Sequence, residues 1–513
     1  MKKKGLYFIL IPIAVLVFGL IGYCGFLGTS FYEGVLSSLK FLKVEFGGIT
    51  NNVFVEIARC LGILFYFSLL YAIAYALFDV IRLFFTVRCK DSVAVHGDSS
   101  MAKYCARNIR GGKHCVLSDS KESFRAKKQI LWFDDDTKAM SFYDTNRSAL
   151  AKDEVYIAIN TIPVEGMQEE NVHLFNVNEN IAITYWEKHI VTEPEKIVII
   201  GSGPLAEQIL EQALLMNVYA KEGGIQYHVI GDFELYQAMH PSLQEAVALT
   251  KDMMTFSRTA WYAQLDTILS ADRIILAGAD QENAEIAKQL INYGIRKDVH
   301  LHAESEETKA LFRSEQVVVF GTLKELLGED GENLFQDGVY QAGKLHDALY
   351  DVLSVTVIGE DEENAFKTLY SKTKKEWADD NQRWANLPGF LKRSNIAAAK
   401  HGAVKKIIMQ KVLADFNAAI TYEEYVKGGV RGARKFWNDP ENKAIVDYLQ
   451  EIEHLRWWRF YLLNHYTCGE GTTKEELMAQ RKNPNMKDYS LLDEETKGYD
   501  GPHYWILAFE EEQ

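Results

Sequence analysis

Cysteine is scarce in this chain, and no two cysteines form a Cys-x-x-Cys pair. The six are Cys24, Cys60, Cys89, Cys105, Cys115 and Cys468. That usage excludes a disulfide framework and a structural zinc site. Positive charge is also in deficit: 56 Lys and Arg face 71 Asp and Glu, a formal net charge of −15. A nucleic-acid partner needs a clustered basic face, so none is expected. The pair His300 and His302 has no matching Cys or carboxylate ligand set, and no metal is expected there. No catalytic base, nucleophile or acid–base pair accompanies any motif below. The chain therefore reads as a non-enzyme, with no catalytic residue assigned.

What is present in quantity is apolar sequence near the start. Two runs, Gly5 to Gly28 and Ile57 to Phe85, flank a mixed stretch from Thr29 to Glu56. Each is long enough to cross a bilayer core, which takes roughly 20 apolar residues as a helix. Lys2, Lys3 and Lys4 precede the first run, and Arg82, Arg88 and Lys90 follow the second. The loop holds only Lys40 and Lys43, opposed by Glu33 and Glu45. The Lys/Arg bias places both ends in the cytoplasm and the chain in the inner membrane as a two-pass protein. A signal peptide is the alternative for the first run, but no small-x-small cleavage site follows it.

Between the runs, Leu36, Leu39 and Leu42 recur at helical spacing. The stretch ends in Val44-Glu45-Phe46-Gly47-Gly48. Span, short helix, glycine turn and span resemble the layout of a two-span potassium-channel pore, which makes Glu45, Phe46, Gly47 and Gly48 the pore candidates. A potassium filter presents backbone carbonyls from a Thr-Val-Gly-Tyr-Gly type of loop. That loop is absent, so potassium selectivity is not expected. The other reading is an interfacial helix capped by glycines. Glu56 and Arg59 lie one helical turn apart at the head of the second run. They either pair with each other or sit at the outer interface.

After Lys90 the pattern becomes alternating strands and helices, which implies parallel sheets covered on both faces. Strands are expected at 92–96, 114–117, 130–133, 155–159 and 172–175. The first strand leads into Gly97-Asp98-Ser99-Ser100-Met101-Ala102, a dinucleotide fingerprint with Ser99 and Ala102 in place of two glycines. Asp119 lies where an acid holds a ribose. This copy is either a ligand-free Rossmann fold or a binding one. The order then repeats. Strand 196–200 leads into Gly201-Ser202-Gly203-Pro204-Leu205-Ala206, and strand 227–230 ends at Asp232. Gly-x-Gly-x-x-Ala between strand and helix lets the backbone approach a pyrophosphate.

A pore-like membrane pair followed by tandem Rossmann domains resembles the RCK (TrkA-N) family, whose domains form gating rings on potassium-conducting proteins. Phe175-Asn176-Val177-Asn178-Glu179-Asn180-Ile181-Ala182 resembles that family's linker helix. The resemblance implies that Gly201, Gly203 and Asp232 contact an adenine nucleotide or dinucleotide, as would Gly97 and Asp119 in the first copy.

Beyond Tyr350 the alternation stops. A strand at 355–358 is expected, then mainly helical sequence. Trp384-Ala385-Asn386-Leu387-Pro388, Arg393-Ser394-Asn395-Ile396-Ala397 and Glu453-His454-Leu455-Arg456-Trp457 stand out. Carboxylate, imidazole, guanidinium and indole within one turn suit an anionic, ring-bearing ligand. They equally suit a packed helix with internal ion pairs. The three segments resemble the ryanodine-receptor (RyR) repeat domain found in bacterial proteins, with Tyr489 where tryptophan is usual. By that resemblance Trp384, Asn395, Glu453, His454, Arg456 and Trp457 would bind a nucleotide-derived signal.

The expected fold is thus membrane α, two transmembrane helices with a re-entrant or interfacial helix, plus α/β. Its parts are a pore-like domain (1–88), two Rossmann-like domains (89–190 and 191–350) and a mainly α ligand-binding domain (351–513). The expected partners are membrane lipid, a small nucleotide and further copies of the chain as a tetramer. The expected role is a ligand-gated, ion-channel-like effector, and the combination resembles effectors of nucleotide-signalled antiphage defence. A housekeeping potassium regulator and a pore-less membrane-anchored nucleotide sensor are the alternatives.

Overall fold

The computed structural model describes residues 2–512 except 46–50, 87, 88, 90, 110–114, 119–122, 124, 162–170, 313, 314, 330, 332, 337, 356 and 358–361. The chain divides into two compact units, Met1–Lys90 and Asp91–Gln513.

The first unit is helical. Helix α1 (Lys2–Leu20) passes into a π-wound turn, Ile21–Phe26, and α2 (Phe31–Leu42) and α3 (Val53–Thr86) follow. Ser30 starts α2 through a capping box with Glu33, which satisfies donors at both ends of the first turn. The three helices close on Val15, Phe41, Val55 and Ala58. At Gly62 any Cβ would lie 2.6 Å from the Phe41 carbonyl oxygen, so only glycine lets α3 approach α2 this closely. Within α3, Val53–Ala74 is long and apolar enough to cross a membrane, with mean hydropathy 1.9. The apolar stretch of the first run is shorter, Leu10–Phe26. Among the described residues, then, one helix rather than two reaches spanning length. The expected short helix is present as α2, and Arg59 Nη1 bonds both Glu56 carboxylate oxygens at 2.9 and 3.2 Å. Of the pore candidates, Glu45 follows α2, while Phe46, Gly47 and Gly48 lie outside the described residues.

The second unit holds two parallel sheets. In the first, β1 (Val93–His96), β2 (Cys115–Ser118), β3 (Lys128–Leu131), β4 (Glu154–Ile159) and β5 (Val172–Asn176) stand in the order β2-β1-β3-β4-β5. Helices α4 (Ser100–Asn108) and α5 (Asp136–Leu150) cover it. The second sheet comprises β6 (Lys196–Ile200), β7 (Gln226–Ile230), β8 (Met253–Ser257), β9 (Arg273–Leu276), β10 (Val299–His302) and β11 (Val317–Phe320). Their order is β11-β10-β9-β6-β7-β8. Counted within that sheet it is 3-2-1-4-5-6 read from the other edge, the doubly wound dinucleotide-binding order. The strand order reverses between β6 and β9, and ligands of such sheets bind where it reverses.

Helix α6 (Val177–Lys188) joins the sheets. It starts at once after β5, with the Asn176 side chain accepting from the Glu179 amide. It packs against α7 (Pro204–Met216), and Trp186 Nε1 donates to the Ile209 carbonyl at 2.9 Å. Ile181, Ile183, Tyr185 and Trp186 are all buried. At about 1.5–3 kcal/mol for each large apolar side chain, this helix fastens the two sheets into one body. His300 and His302 are buried against neighbours: His300 meets His189 and Tyr185, and His302 meets Phe320.

The remaining helices form a cluster beside the second sheet. They include α9 (Gly338–Ser354), α10 (Gly389–Lys400), α11 (Gly402–Asp415), α12 (Gly429–Asn438), α13 (Lys443–Leu463) and α14 (Pro502–Glu512), with α8 (Asp280–Asn292) covering β10. Of these, α10 and α13 meet α7, and α13 meets the helix Leu243–Ala248. Residue 350 falls inside α9, which packs mainly on α10. The strand expected at 355–358 is absent at its described residues, Val355 and Val357, which are turn. The preceding apolar residues instead belong to α9, whose buried face includes Leu349 and Leu353.

Candidate functional site

The two fingerprint turns differ in one respect that decides what each can hold. At the first, Gly97 has φ +141°, and a Cβ there would lie 1.9 Å from the Trp132 carbonyl oxygen. Ser99 then closes the turn. Its Oγ accepts from the Ala102 amide at 2.9 Å and donates to the Trp132 carbonyl at 2.9 Å. Ser100 Oγ donates to the Glu304 carboxylate at 2.8 Å. The start of α4 thus already has a side-chain cap and a carboxylate beside it, the two things an incoming phosphate would supply. Asp119 lies outside the described residues.

At the second turn, Gly201 has φ +150°, and a Cβ would press into the Ala277–Gly278 backbone at 2.7 Å. Gly203, at φ +89°, is the N-cap of α7, offers no side-chain cap, and would have open space around an added Cβ. Pro204 fills the first helical position, where its missing N–H costs nothing. The turn therefore leaves backbone amides and the positive end of α7 facing open space at the point where the strand order reverses. Ser202 Oγ accepts from the Asp232 amide at 2.8 Å, which ties the end of β7 to the turn. The Asp232 carboxylate is exposed and paired with Arg258 at 3.2 Å. Glu234 is a second partner of that guanidinium. Such exposed pairs are worth under about 1 kcal/mol, weak enough for a ribose hydroxyl to displace. The open turn at Gly203 leaves room for a phosphate, and the Asp232 carboxylate stands exposed just beyond the end of the neighbouring strand β7. Arg258 was not legible as a neighbour, because β8 is brought beside β7 only by the fold.

The C-terminal candidates separate into three places. Glu453 and Arg456, on α13, are buried and joined by two-pronged bonds, Nε to both oxygens at 3.0 Å and Nη2 to Oε1 at 2.7 Å. Lys405 reaches the same carboxylate at 3.2 Å, and His401 and His503 stand at 3.7 and 3.6 Å. The chain continues from His503 Nδ1 to His346 Nε2 at 3.0 Å. From there His346 Nδ1 meets Asn395 Oδ1 at 2.9 Å, and Asn395 Nδ2 donates to Asp347 at 3.1 Å. Asn395, Glu453 and Arg456 thus belong to one buried polar chain through α9, α10, α13 and α14. His454 and Trp457 turn the other way. His454 Nε2 meets the Lys487 carbonyl at 2.9 Å, with its ring against Trp457 and Tyr489. Trp384 is buried edge-on to Tyr340, and its amide is capped by Asn381, which also bonds Asp347. Sequence reasoning passed over His346, His401, Lys405 and His503. The one local signal was the His401/Lys405 spacing of four residues, which puts both on one face of the chain entering α11.

Burial raises the cost of ionising Glu453, but Arg456, Lys405 and His503 outweigh it and hold the carboxyl well below its usual range. Burial pulls Lys405 down to about 8. Burial, with Lys405 adding to it, lowers His346 to about 3. Burial likewise lowers His401 to about 4, Lys405 adding to it and the Glu453 bond opposing. His503 is pushed well down by burial too. Below the ordinary histidine value of 6.5 an unfolded chain takes up protons that these folded imidazoles refuse. Their stabilisation is therefore full above pH 6.5 and is lost as pH falls toward 4 and then 3. At pH 5 His346 and His401 are each expected to withdraw about 2 kcal/mol. Urea unfolding of the full chain between pH 7 and 5 checks this: a midpoint that is flat to pH 5 would mean that the imidazoles charge freely in the fold.

No protein-family profile matches the chain, and no curated protein matches it. Among solved structures the chain is similar to GsuK bound to ADP, at 16% identity and a TM-score of 0.33, over 66% of this chain and 99% of that one. It is similar too to the GsuK channel, at 14% identity and 0.33, over 65% and 97%.

Proposed function

We propose that this protein is a ligand-gated membrane effector, in which an adenine nucleotide or a related nucleotide signal held by the second unit controls the state of the first. The observation that carries the reading is the uncapped Gly203 turn at the reversal point of a 3-2-1-4-5-6 sheet, in a chain whose α3 has a stretch of spanning length. The closed Gly97 turn makes the second sheet the sensor and the first a scaffold in this reading. Assembly as a tetramer around a permeability path, the RyR character of the helical region and a role in nucleotide-signalled defence belong to the same proposal and rest on the sequence resemblance. A ligand shifts such an equilibrium only by its difference in affinity for the two states.

The test is ion flux from liposomes holding the full chain, with ADP and NAD as probes, beside binding to the same protein. Gly203→Asp puts a negative charge at the helix start and a side chain at φ +89°. It is expected to weaken binding at least about tenfold and to abolish the flux response. Binding without flux would support the pore-less sensor. Flux that ignores Gly203→Asp would remove the Rossmann turn from the mechanism.

A further inference from the structure

The helical region has an open cleft of about 360 Å³ that none of the candidate site residues lines. That volume is within the range of small-molecule sites, roughly 300–1,000 Å³. Three cations reach it from three elements: Arg434 on α12, Lys443 at the start of α13 and Lys497 on the short helix Glu494–Gly498. Because α13 begins here, the positive end of a 21-residue helix opens on the same space. Trp437 and Trp505 form a wall, their rings 6.4 Å apart at 88°. The Arg434 guanidinium lies 5.2 Å over the Trp505 ring. The indole N–H groups of both tryptophans are buried without an acceptor among the described residues. Gly501 backs the wall, since a Cβ there would lie 3.0 Å from Trp437 Nε1 and from the Trp505 ring.

The carboxylates around the cleft are either committed or displaceable. Asp439 accepts from the Glu441 amide as a helix cap. Asp447 holds Lys443 at 3.3 Å from the same helix. The partners of the two deeper cations are surface groups. Lys497, 17% exposed, pairs with Glu494, 75% exposed, at 2.8 Å. Arg434, 11% exposed, pairs with Glu362, 49% exposed, at 3.0 Å. The deep side of the cleft is thus cationic and aromatic, with counter-charges on the exposed side chains Glu494 and Glu362.

We propose that this cleft is a second ligand site, for a small phosphorylated ring compound of mononucleotide size. The phosphate replaces the Glu494 and Glu362 carboxylates on Lys497 and Arg434, where charge-assisted and two-pronged bonds are strongest. The ring lies against the Trp437–Trp505 wall. This goes beyond the reading above, which needs only the Gly203 turn, and it stands or falls separately.

The experiment uses the full chain in detergent with AMP as the probe, up to 1 mM by design of the titration (about the weakest affinity worth calling a site), in a Gly203→Asp background that silences the Rossmann turn. Calorimetry and tryptophan fluorescence are read together. AMP is expected to bind and to change the fluorescence, Trp505→Phe to lose most of that change, and Lys497→Gln and Arg434→Gln each to weaken binding about tenfold. Lys497→Gln removes one ion pair with an exposed partner and a cation–π contact with Tyr489 at 5.2 Å, and urea unfolding of that variant beside the titration separates lost binding from a folding defect. No AMP binding in the Gly203→Asp chain would overturn the proposal. So would binding that Lys497→Gln leaves unchanged.

Discussion

Glu453→Ala is expected to cost about 3–5 kcal/mol of stability, because it leaves two buried cations without their anion. Arg456 is 1% exposed and makes its bonds at Nε and Nη2 to this one carboxylate. Lys405, also 1% exposed, has the Ala398 carbonyl and the face of the Tyr504 ring besides Glu453. Neither can turn to water, and His503 loses its nearest anion as well. Glu453→Gln keeps the shape and one acceptor but not the charge, and should fall between wild type and alanine. Urea unfolding of the full chain gives the order. The same series separates two roles for the Glu-His-x-Arg-Trp segment. If Glu453 holds the fold, stability drops in step with lost charge while nucleotide affinity, measured below the unfolding range, stays put. If affinity falls in Glu453→Gln at nearly wild-type stability, the carboxylate is part of a binding surface.

That segment shows where a sequence stops being readable. Helical spacing correctly put Glu453, His454, Arg456 and Trp457 on one helix, and residue chemistry matched an anionic ring. What spacing could not give is the direction of each face. His401, Lys405, His346 and His503 are 48 to 107 residues away from Glu453 in the chain, and only the fold brings His401, Lys405 and His503 to its carboxylate and His346 onto His503. Most strands were legible to within two residues because Val, Ile and Leu runs bounded by glycine turns admit few other structures; β8 was not anticipated, and the strand expected at 355–358 is turn at its described residues. The two fingerprints were legible as turns. Their difference was partly so: Ser99 in place of glycine was visible, but not that its hydroxyl would bridge Ala102 and Trp132. Glu304 at the start of α4 was invisible, since it comes from the other sheet. In the membrane-type unit, the short helix and the Glu56–Arg59 pair followed from local spacing, whereas the π winding of Ile21–Phe26 had no signal in the apolar pattern.

Arg459→Met is the second large effect, and it bears on how the helical region speaks to the sensor. The guanidinium is fully buried and donates to the carbonyls of Leu214 at 3.0 Å, Ala246 at 2.8 Å and Val247 at 3.3 Å. It also meets Thr250 and the Asp252 carboxylate, the latter at 3.1 Å. Leu214 is in the last turn of α7, and Ala246 and Val247 are in the last turn of the helix Leu243–Ala248. One side chain of α13 therefore caps the negative ends of two helices of the second sheet. Methionine keeps much of the volume but takes the donor from three carbonyls and the counter-charge from the buried Asp252 carboxylate, which keeps the Ile225 amide and the Thr250 hydroxyl, a loss of about 3–5 kcal/mol. The consequence for signalling follows from the geometry of α7. Its 13 residues make a rod of about 20 Å, with Gly203 at one end and Arg459 at the other. A nucleotide at the open turn and the helical region thus hold opposite ends of a single rigid element. Arg459→Lys keeps a charge but cannot fork to two helix ends, so it is expected to fold better than methionine. In the flux assay it should retain nucleotide binding while losing a large part of the response. Full response in the lysine variant would mean that α7 does not transmit the signal. Loss of binding along with response would mean that Arg459 shapes the site itself.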